Sequence, residues 1–232
     1  MNIRYVITTR KIFDSIIPFL IWVLFFFSPV PPVWGGSSPV ILAFGDSLTA
    51  GFGVPASENY PSKLQRIISQ NGYPHQVING GVSGDTTAGG VRRIRWLMKQ
   101  NPKIVILELG ANDGLRGLPL KEMESNLEQI IGVCKEGGAK ILLTGMKIPP
   151  NYGEEYTIGF EKVFIQLAEK HQLPLVPFFL EGVAGQREYT RPDGIHPLGP
   201  GYSIVAQTVW KHLKPLMDLG SQTKPRFSGE EK

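Results

Sequence analysis

The sequence predicts a single α/β domain, a three-layer α/β/α arrangement around a five-stranded parallel sheet in the flavodoxin-like order 2-1-3-4-5. Three observations point there. Short apolar runs of strand length alternate five times with segments of helical period. The length of 232 residues suits one domain of ordinary size and is short for two. Right-handed crossovers leave few topologies for such an alternation, and 2-1-3-4-5 is among the commonest.

The elements follow in order. Pro39–Phe44 (PVILAF) is an apolar run stopped by Gly45 and reads as a buried strand. Tyr60–Gln70 carries Leu64, Ile67 and Ile68 at helical spacing, with Gly72 as a stop. Gln76–Asn79 is a second short strand before a Gly-rich loop, Gly80–Gly84. Thr87–Gln100 reads as a helix with Val91, Ile94, Leu97 and Met98 on its apolar side. Lys103–Leu109 (KIVILEL) is the clearest strand, and the Gly-rich loop Gly110–Gly117 follows it. Leu120–Glu136 is a helix with a Met123, Leu127, Ile130, Ile131 stripe, and Lys140–Thr144 is the fourth strand. The loop 146–153 leads to a helix over Tyr156–His171, a last strand over Leu173–Pro177 and a final helix over Tyr202–Met217. The polar tail, 220–232, is expected to fray.

Residues 1–36 read as a targeting segment ahead of a domain spanning 37–219. Basic residues end at Lys11, and an apolar run of 12 residues, Ile16–Phe27, follows. That length suits the core of a signal peptide and falls short of the ~20 residues a spanning helix needs. Small and turn-forming residues come next, ending in Gly35-Gly36-Ser37-Ser38 without a clean A-x-A site. The expectation is a signal peptide, with an uncleaved N-terminal anchor as the alternative, and a periplasmic or secreted domain in either case.

Composition excludes several classes. The chain is 42% hydrophobic and 19% charged, which excludes wholesale disorder. The single Cys134 excludes a disulfide scaffold and a Cys-rich zinc site, and is expected in the core. The four His residues are too far apart for H-E-x-x-H, and no P-loop motif occurs. Net charge is +4 overall; without Arg4, Arg10, Lys11 and Asp14 the remainder holds 21 basic and 19 acidic residues, or +2. That is no nucleic-acid footprint, and the Arg92, Arg93, Arg95 cluster is expected on a solvated surface. Gly51–Ala56 fits G-x-G-x-x-A only superficially, since it does not directly follow the strand and contains Pro55. Thr49 also stands where a G-x-S-x-G elbow needs its second Gly.

In a parallel sheet the carboxyl ends of all strands share one edge, and ligands bind there. The segments expected there are Gly45-Asp46-Ser47-Leu48, Gly81-Val82-Ser83-Gly84-Asp85, Gly110-Ala111-Asn112-Asp113 and Asp193-Gly194-Ile195-His196-Pro197. Each one alone is an ordinary turn or capping sequence. Four of them in this order after these strands make a catalytic constellation. Ser47 is the candidate nucleophile, on a turn that offers free backbone N–H groups to a developing anion. A serine hydroxyl needs a base, and a histidine, with an unperturbed pKa near ~6.5, can take and return the proton. His196 is that candidate, with Asp193 three residues earlier to fix its tautomer. Oxyanion donors are expected from the N–H groups of Ser47 and Gly84 and the side-chain amide of Asn112. Asp46, Asp85 and Asp113 are competing acids, kept as supporting residues because none sits beside a histidine in sequence.

These residues resemble the SGNH, or GDSL, hydrolase superfamily, whose four blocks match Gly45–Leu48, Gly84, Gly110–Asp113 and Asp193–Pro197. The resemblance covers nearly all of 39–217. It is nearest to the periplasmic multifunctional group described as acyl-CoA thioesterase, lysophospholipase and arylesterase, through Glu108–Gly117, Pro150–Gly153 and Pro177–Phe179. It implies Ser47 as nucleophile, Gly84 and Asn112 as oxyanion donors, the Asp193/His196 pair, and no metal or cofactor. The Trp-Gly-Gly stretch before residue 37 departs from a typical member.

The expected function is serine-dependent hydrolysis of fatty acyl esters and thioesters through an acyl-enzyme on Ser47. The expected substrate is a small acyl ester or thioester, membrane lipid included. Nucleic acid is not an expected partner, and a monomer is expected. The apolar loops Gly114–Leu120 and Ile148–Tyr156 are expected to wall the acyl chain, with Leu115, Leu118 and Tyr152 as candidate contacts. The alternatives are a carbohydrate deacetylase of the same superfamily, a flavodoxin-like binding module without turnover, and a secreted lipid-binding or peptide-cleaving protein.

Overall fold

A computed structural model describes the backbone of residues 38–221. The readings made above for residues 1–36 and for the tail beyond 221 lie outside the described residues. Five parallel strands, β1 (Val40–Gly45), β2 (Gln76–Gly81), β3 (Ile104–Glu108), β4 (Lys140–Thr144) and β5 (Leu175–Val176), form one sheet in the order β2-β1-β3-β4-β5. β1 and β3 read as unbroken apolar runs because helices cover both faces: every residue of β3 is buried, and all of β1 after Val40.

The helices are α1 (Ser47–Ala50), α2 (Tyr60–Gln70), α3 (Thr87–Leu97), α4 (Ala111–Leu115), α5 (Leu120–Glu136), α6 (Glu154–His171) and α7 (Gly199–Ser221). One layer pairs α2 with α7; the other joins α3, α5 and α6. The predicted apolar stripes turn inward: Leu64 and Ile68 of α2, Ile130 and Ile131 of α5, Phe160 and Phe164 of α6 are all buried, with Cys134 among them. The three-layer α/β/α fold and the strand order are those read from the sequence.

The differences have local causes. β2 runs on through Gly80 and Gly81 because the ladder continues there, with Phe44 opposite Gly80 and Gly45 opposite Gly81. β5 is only two residues long, since Pro174 and Pro177 have no N–H to extend it. α7 begins at Gly199, with Pro200 in the first turn, where a missing N–H costs nothing. The predicted loop Gly110–Gly117 holds a helical turn, α4, entered through Gly110 at φ 117°. Packing overrides its poor helix formers: Gly114 lies so close to Phe160 and Ile148 that a Cβ would strike both. Arg93 is not on a solvated surface. It donates from Nε to Asp85 Oδ2 at 2.6 Å, from Nη1 to Gly80 O at 2.5 Å and from Nη2 to Gly45 O at 2.7 Å, tying the ends of β1 and β2 together. Its guanidinium also lies 4.1 Å from the centroid of the Phe44 ring. Its place on α3 turns it toward the sheet edge, while Arg92 and Arg95 of the same helix stay exposed.

Candidate active site

The carboxyl edge of the sheet gathers the four predicted segments. β1 ends at Gly45, and Asp46 caps α1 by accepting from Leu48 N–H at 2.9 Å. Ser47 is the first residue of α1, and no protein acceptor takes its N–H among the described residues. The turn is tight: a Cβ on Gly45 would collide with Thr49 Oγ1 and the Glu108 carboxyl.

His196 approaches from the far end of the chain. Its Nε2 lies 2.9 Å from Ser47 Oγ, and its Nδ1 lies 2.9 Å from Asp193 Oδ2. A closed turn fixes the Asp–His pair. Arg191 N–H donates to His196 O at 2.8 Å, Gly194 N–H donates to Arg191 O at 2.9 Å, and Gly194 itself sits at φ 71°. Asp193 Oδ1 accepts from the N–H groups of Ile195 and His196, each at 2.9 Å. Partial burial works to raise the Asp193 carboxyl. The backbone N–H groups of His196 and Ile195, and then the imidazole, outweigh it and hold the group below the usual carboxylate range. With Nδ1–H donating to this carboxylate, Nε2 is left to accept the Ser47 proton.

Asn112 lies in α4, past the end of β3. Its Nδ2 donates to Asp46 Oδ2 at 2.9 Å and to Asp85 O at 3.0 Å. The amide therefore lies between the Ser47 turn and the Gly84 loop, one residue from each. Gly84 sits at φ 78°, its carbonyl accepts from Arg116 Nη2 at 2.8 Å, and its N–H meets no protein acceptor among the described residues. Asp113 supports this arrangement from behind. It accepts from Thr87 N–H at 2.9 Å and from Thr87 Oγ1–H at 2.6 Å, joining α4 to the start of α3.

An apolar cavity of about 340 Å³ opens beside these residues, lined in part by Leu48, Ala111, Leu115, Ile148, Phe178 and Ile195. Leu48, Ala111 and Ile195 are the chain neighbours of Ser47, Asn112 and His196, so the same turns that hold the polar groups wall the cavity. Of the predicted contacts, Leu115 lines it, whereas Leu118 and Tyr152 do not. The α4 turn carries Leu118 away, where its carbonyl accepts from Tyr156 Oη at 2.7 Å. Tyr152 instead fronts a separate depression beside Leu120 and Glu154, and its hydroxyl buttresses Leu115 by donating to Leu115 O at 2.7 Å. Phe178 and Leu180, which also line the cavity, were missed; an apolar pair just past the last strand, at the ligand edge, was the available signal.

A family model described as GDSL-like Lipase/Acylhydrolase family matches residues 43–204. The chain is 42% identical over 182 residues to a protein named Arylesterase of Vibrio mimicus, covering 76% of this chain and 91% of the relative. It is 35% identical over 213 residues to Thioesterase 1/protease 1/lysophospholipase L1 of Escherichia coli K12, covering 91% of this chain and 98% of that one. Among solved structures, the crystal structure of TesA superposes with a TM-score of 0.74 at 40% identity, over 76% of this chain and 99% of its own. With its model matched from β1 into α7 and relatives aligned over nearly their whole length, this chain belongs to the GDSL-like lipase/acylhydrolase family.

Proposed function

We propose that this protein is a serine hydrolase for carboxylic esters and thioesters of fatty acyl groups. The observation that carries the reading is the unbroken hydrogen-bonded line Ser47–His196–Asp193 beside an apolar cavity. Ser47 Oγ attacks the acyl carbonyl carbon as its proton passes to His196 Nε2. Asp193 balances the imidazolium that forms. The carbonyl oxygen becomes an oxyanion, received by the N–H groups of Ser47 and Gly84 and by the Asn112 amide. Collapse expels the alcohol or thiol, which takes its proton from His196. An acyl-enzyme ester on Ser47 is left. Water, deprotonated by the same nitrogen, then attacks that ester and frees the acid. The acyl tail lies in the cavity against Leu115, Ile148 and Phe178, where burial rewards each added methylene by about 0.8 kcal/mol.

Domain layout and location belong to the same proposal. Residues 1–36 act as a secretion signal or N-terminal anchor, and residues 37–219 form the catalytic domain on the periplasmic or extracellular side. The basic start and apolar run described above support this. No helix among the described residues is long and apolar enough to cross a membrane. The domain acts as a monomer, and single-chain lipids are among its substrates. The names of the relatives, arylesterase and thioesterase 1/protease 1/lysophospholipase L1, support a broad leaving-group range.

The test is a panel of p-nitrophenyl esters and acyl thioesters of rising chain length on the purified protein, with Ser47→Ala as control. Turnover that rises with chain length and vanishes in the control is expected. Turnover confined to acetylated sugars would replace this reading with that of a deacetylase.

A further inference from the structure

Beneath the Ser47 turn lies a second carboxyl that the reaction above does not use. Glu108, the last residue of β3, is 1% exposed. Its Oε2 accepts from Thr49 Oγ1–H at 2.7 Å and from Asp46 N–H at 3.3 Å. Its carboxyl also meets that of Asp46, which is fully buried. The hydroxyl of Tyr60, itself fully buried, lies 3.5 Å from Thr49 Oγ1.

Two carboxyls in contact and away from water cannot both be ionised. The charge belongs on Asp46, which accepts from Leu48 N–H at 2.9 Å and from Asn112 Nδ2 at 2.9 Å. The proton belongs on Glu108, since burial and then the neighbouring Asp46 charge push that group well up. Its O–H therefore points at the Asp46 carboxylate.

This matters because of Asn112. Both of its Nδ2 hydrogens are already committed, one to Asp46 Oδ2 and the other to Asp85 O. An oxyanion on Ser47 can draw on Asn112 only by taking a share of one of them. Asp46 is the charged competitor for that hydrogen, and a buried carboxylate stripped of a donor is costly. A second donor already on Asp46 lowers that cost.

We propose that Glu108 is a neutral, hydrogen-donating positioning residue for the reaction, acting through Asp46 to free an Asn112 hydrogen for the oxyanion. The inference rests on the hydrolase reading above. It assigns Glu108 no contact with substrate. In the ground state Asn112 is held by Asp46 and Asp85. As the oxyanion forms, the Asn112 hydrogen shifts toward it, and the Glu108 O–H remains on Asp46 throughout.

The test compares Glu108→Gln, which keeps a donor for Asp46 and an acceptor for Thr49, with Glu108→Met, which keeps the volume and has no donor. On a p-nitrophenyl ester, Glu108→Gln is expected to retain kcat within about fivefold, while Glu108→Met lowers kcat about 10- to 100-fold with KM changed less than about threefold. In an Asn112→Ala background the Glu108→Met change is expected to lower kcat by less than about threefold, because the group it serves is gone. A merely structural role would give full losses in both backgrounds, and that result would overturn the proposal. Infrared difference spectra provide a readout independent of the Met variant. At pH 7 the wild type is expected to show a protonated-carboxyl C=O band that Glu108→Gln lacks, and spectra without that difference would overturn the proposal even if Glu108→Met does not fold. If wild-type turnover survives Ser47→Ala, the hydrolase reading itself fails; if it is Ser47-dependent but indifferent to Glu108→Met, only this inference does.

Discussion

The ring of Phe52 packs against the imidazole of His196, with centroids 4.8 Å apart and planes inclined by 50°. Arg191 holds the other partner in turn: its guanidinium carbon is 5.6 Å from the Phe52 centroid and its Nη1 donates to Gly53 O at 3.3 Å. Asp193 anchors one edge of the imidazole, and Phe52 limits the swing of its plane. An aromatic pair of this kind contributes about 0.5–1.5 kcal/mol. Phe52→Ala is expected to lower kcat by roughly 2- to 10-fold with little change in melting temperature, since the ring is 47% exposed. Steady-state kinetics beside a thermal melt would measure both, and an unchanged kcat would remove Phe52 from the positioning of the base.

Ser47→Ala is expected to abolish ester turnover and covalent labelling by a fluorophosphonate probe. The hydroxyl is the atom 2.9 Å from His196 Nε2, and removing the proposed nucleophile would leave only the residual catalysis of the proposed oxyanion site. Probe labelling retained at another residue would refute the assignment.

Asn112→Ala should lower kcat by about 10²–10³ with a smaller effect on KM, the range typical for loss of one oxyanion donor. Because the same amide also satisfies Asp46 and Asp85 O, a drop in melting temperature should accompany it. Kinetics on one soluble ester, with a melt on the same sample, separate the two effects. A KM-dominated loss would place Asn112 in binding instead.

The cavity lining makes a contrast between two leucines. Leu115→Asn puts a polar group on the cavity wall and should raise KM for long acyl chains several-fold more than for short ones. Leu118→Asn lies away from that wall and should leave chain-length preference alone. Equal effects of Leu115→Asn on all chain lengths would move the acyl chain elsewhere.

Two carboxyls near the site give opposite dependences of stability on pH. Burial first of all raises Asp46 to about 6, from the ordinary value of 3.8. A folded-state value above the unfolded one means stabilisation that is present below about pH 4 and lost as pH rises through about 6. The two-unit difference is on the order of 3 kcal/mol. Asp193 is held below its ordinary value, so its contribution is present above about pH 4 and is lost as pH falls further. Asp46→Asn should therefore gain on the wild type by on the order of 3 kcal/mol between pH 4 and pH 7, whatever its offset at either end. Denaturant unfolding at the two pH values measures this difference; a constant offset would show that Asp46 titrates normally.

The alternation of apolar runs and helix-period segments made the sheet legible, because a strand buried on both faces and a helix buried on one leave their periods in the residues themselves. Ser47, Gly84, Asn112, Asp193 and His196 were legible for a related reason. Each follows a strand that ends at one shared edge, so topology alone brings them near one another. The α4 turn was not legible, since Gly110 and Gly114 read as breakers until Phe160 and Ile148 are packed against them. Arg93 likewise read as one charge in a solvated cluster until helix placement aimed it at Gly45 O and Gly80 O.

Sequence by itself thus determined the order of elements and the chemical types available at the ligand edge, both of which depend on local patterning. Tertiary structure alone decided the pairwise contacts. It brought Ser47 Oγ to His196 Nε2, occupied both Asn112 hydrogens with Asp46 and Asp85, and set Glu108 against Asp46 beneath the Ser47 turn. The physical reason is that hydrogen bonds and buried charges act over a few ångströms between residues tens of positions apart, and no local period in the chain encodes that distance.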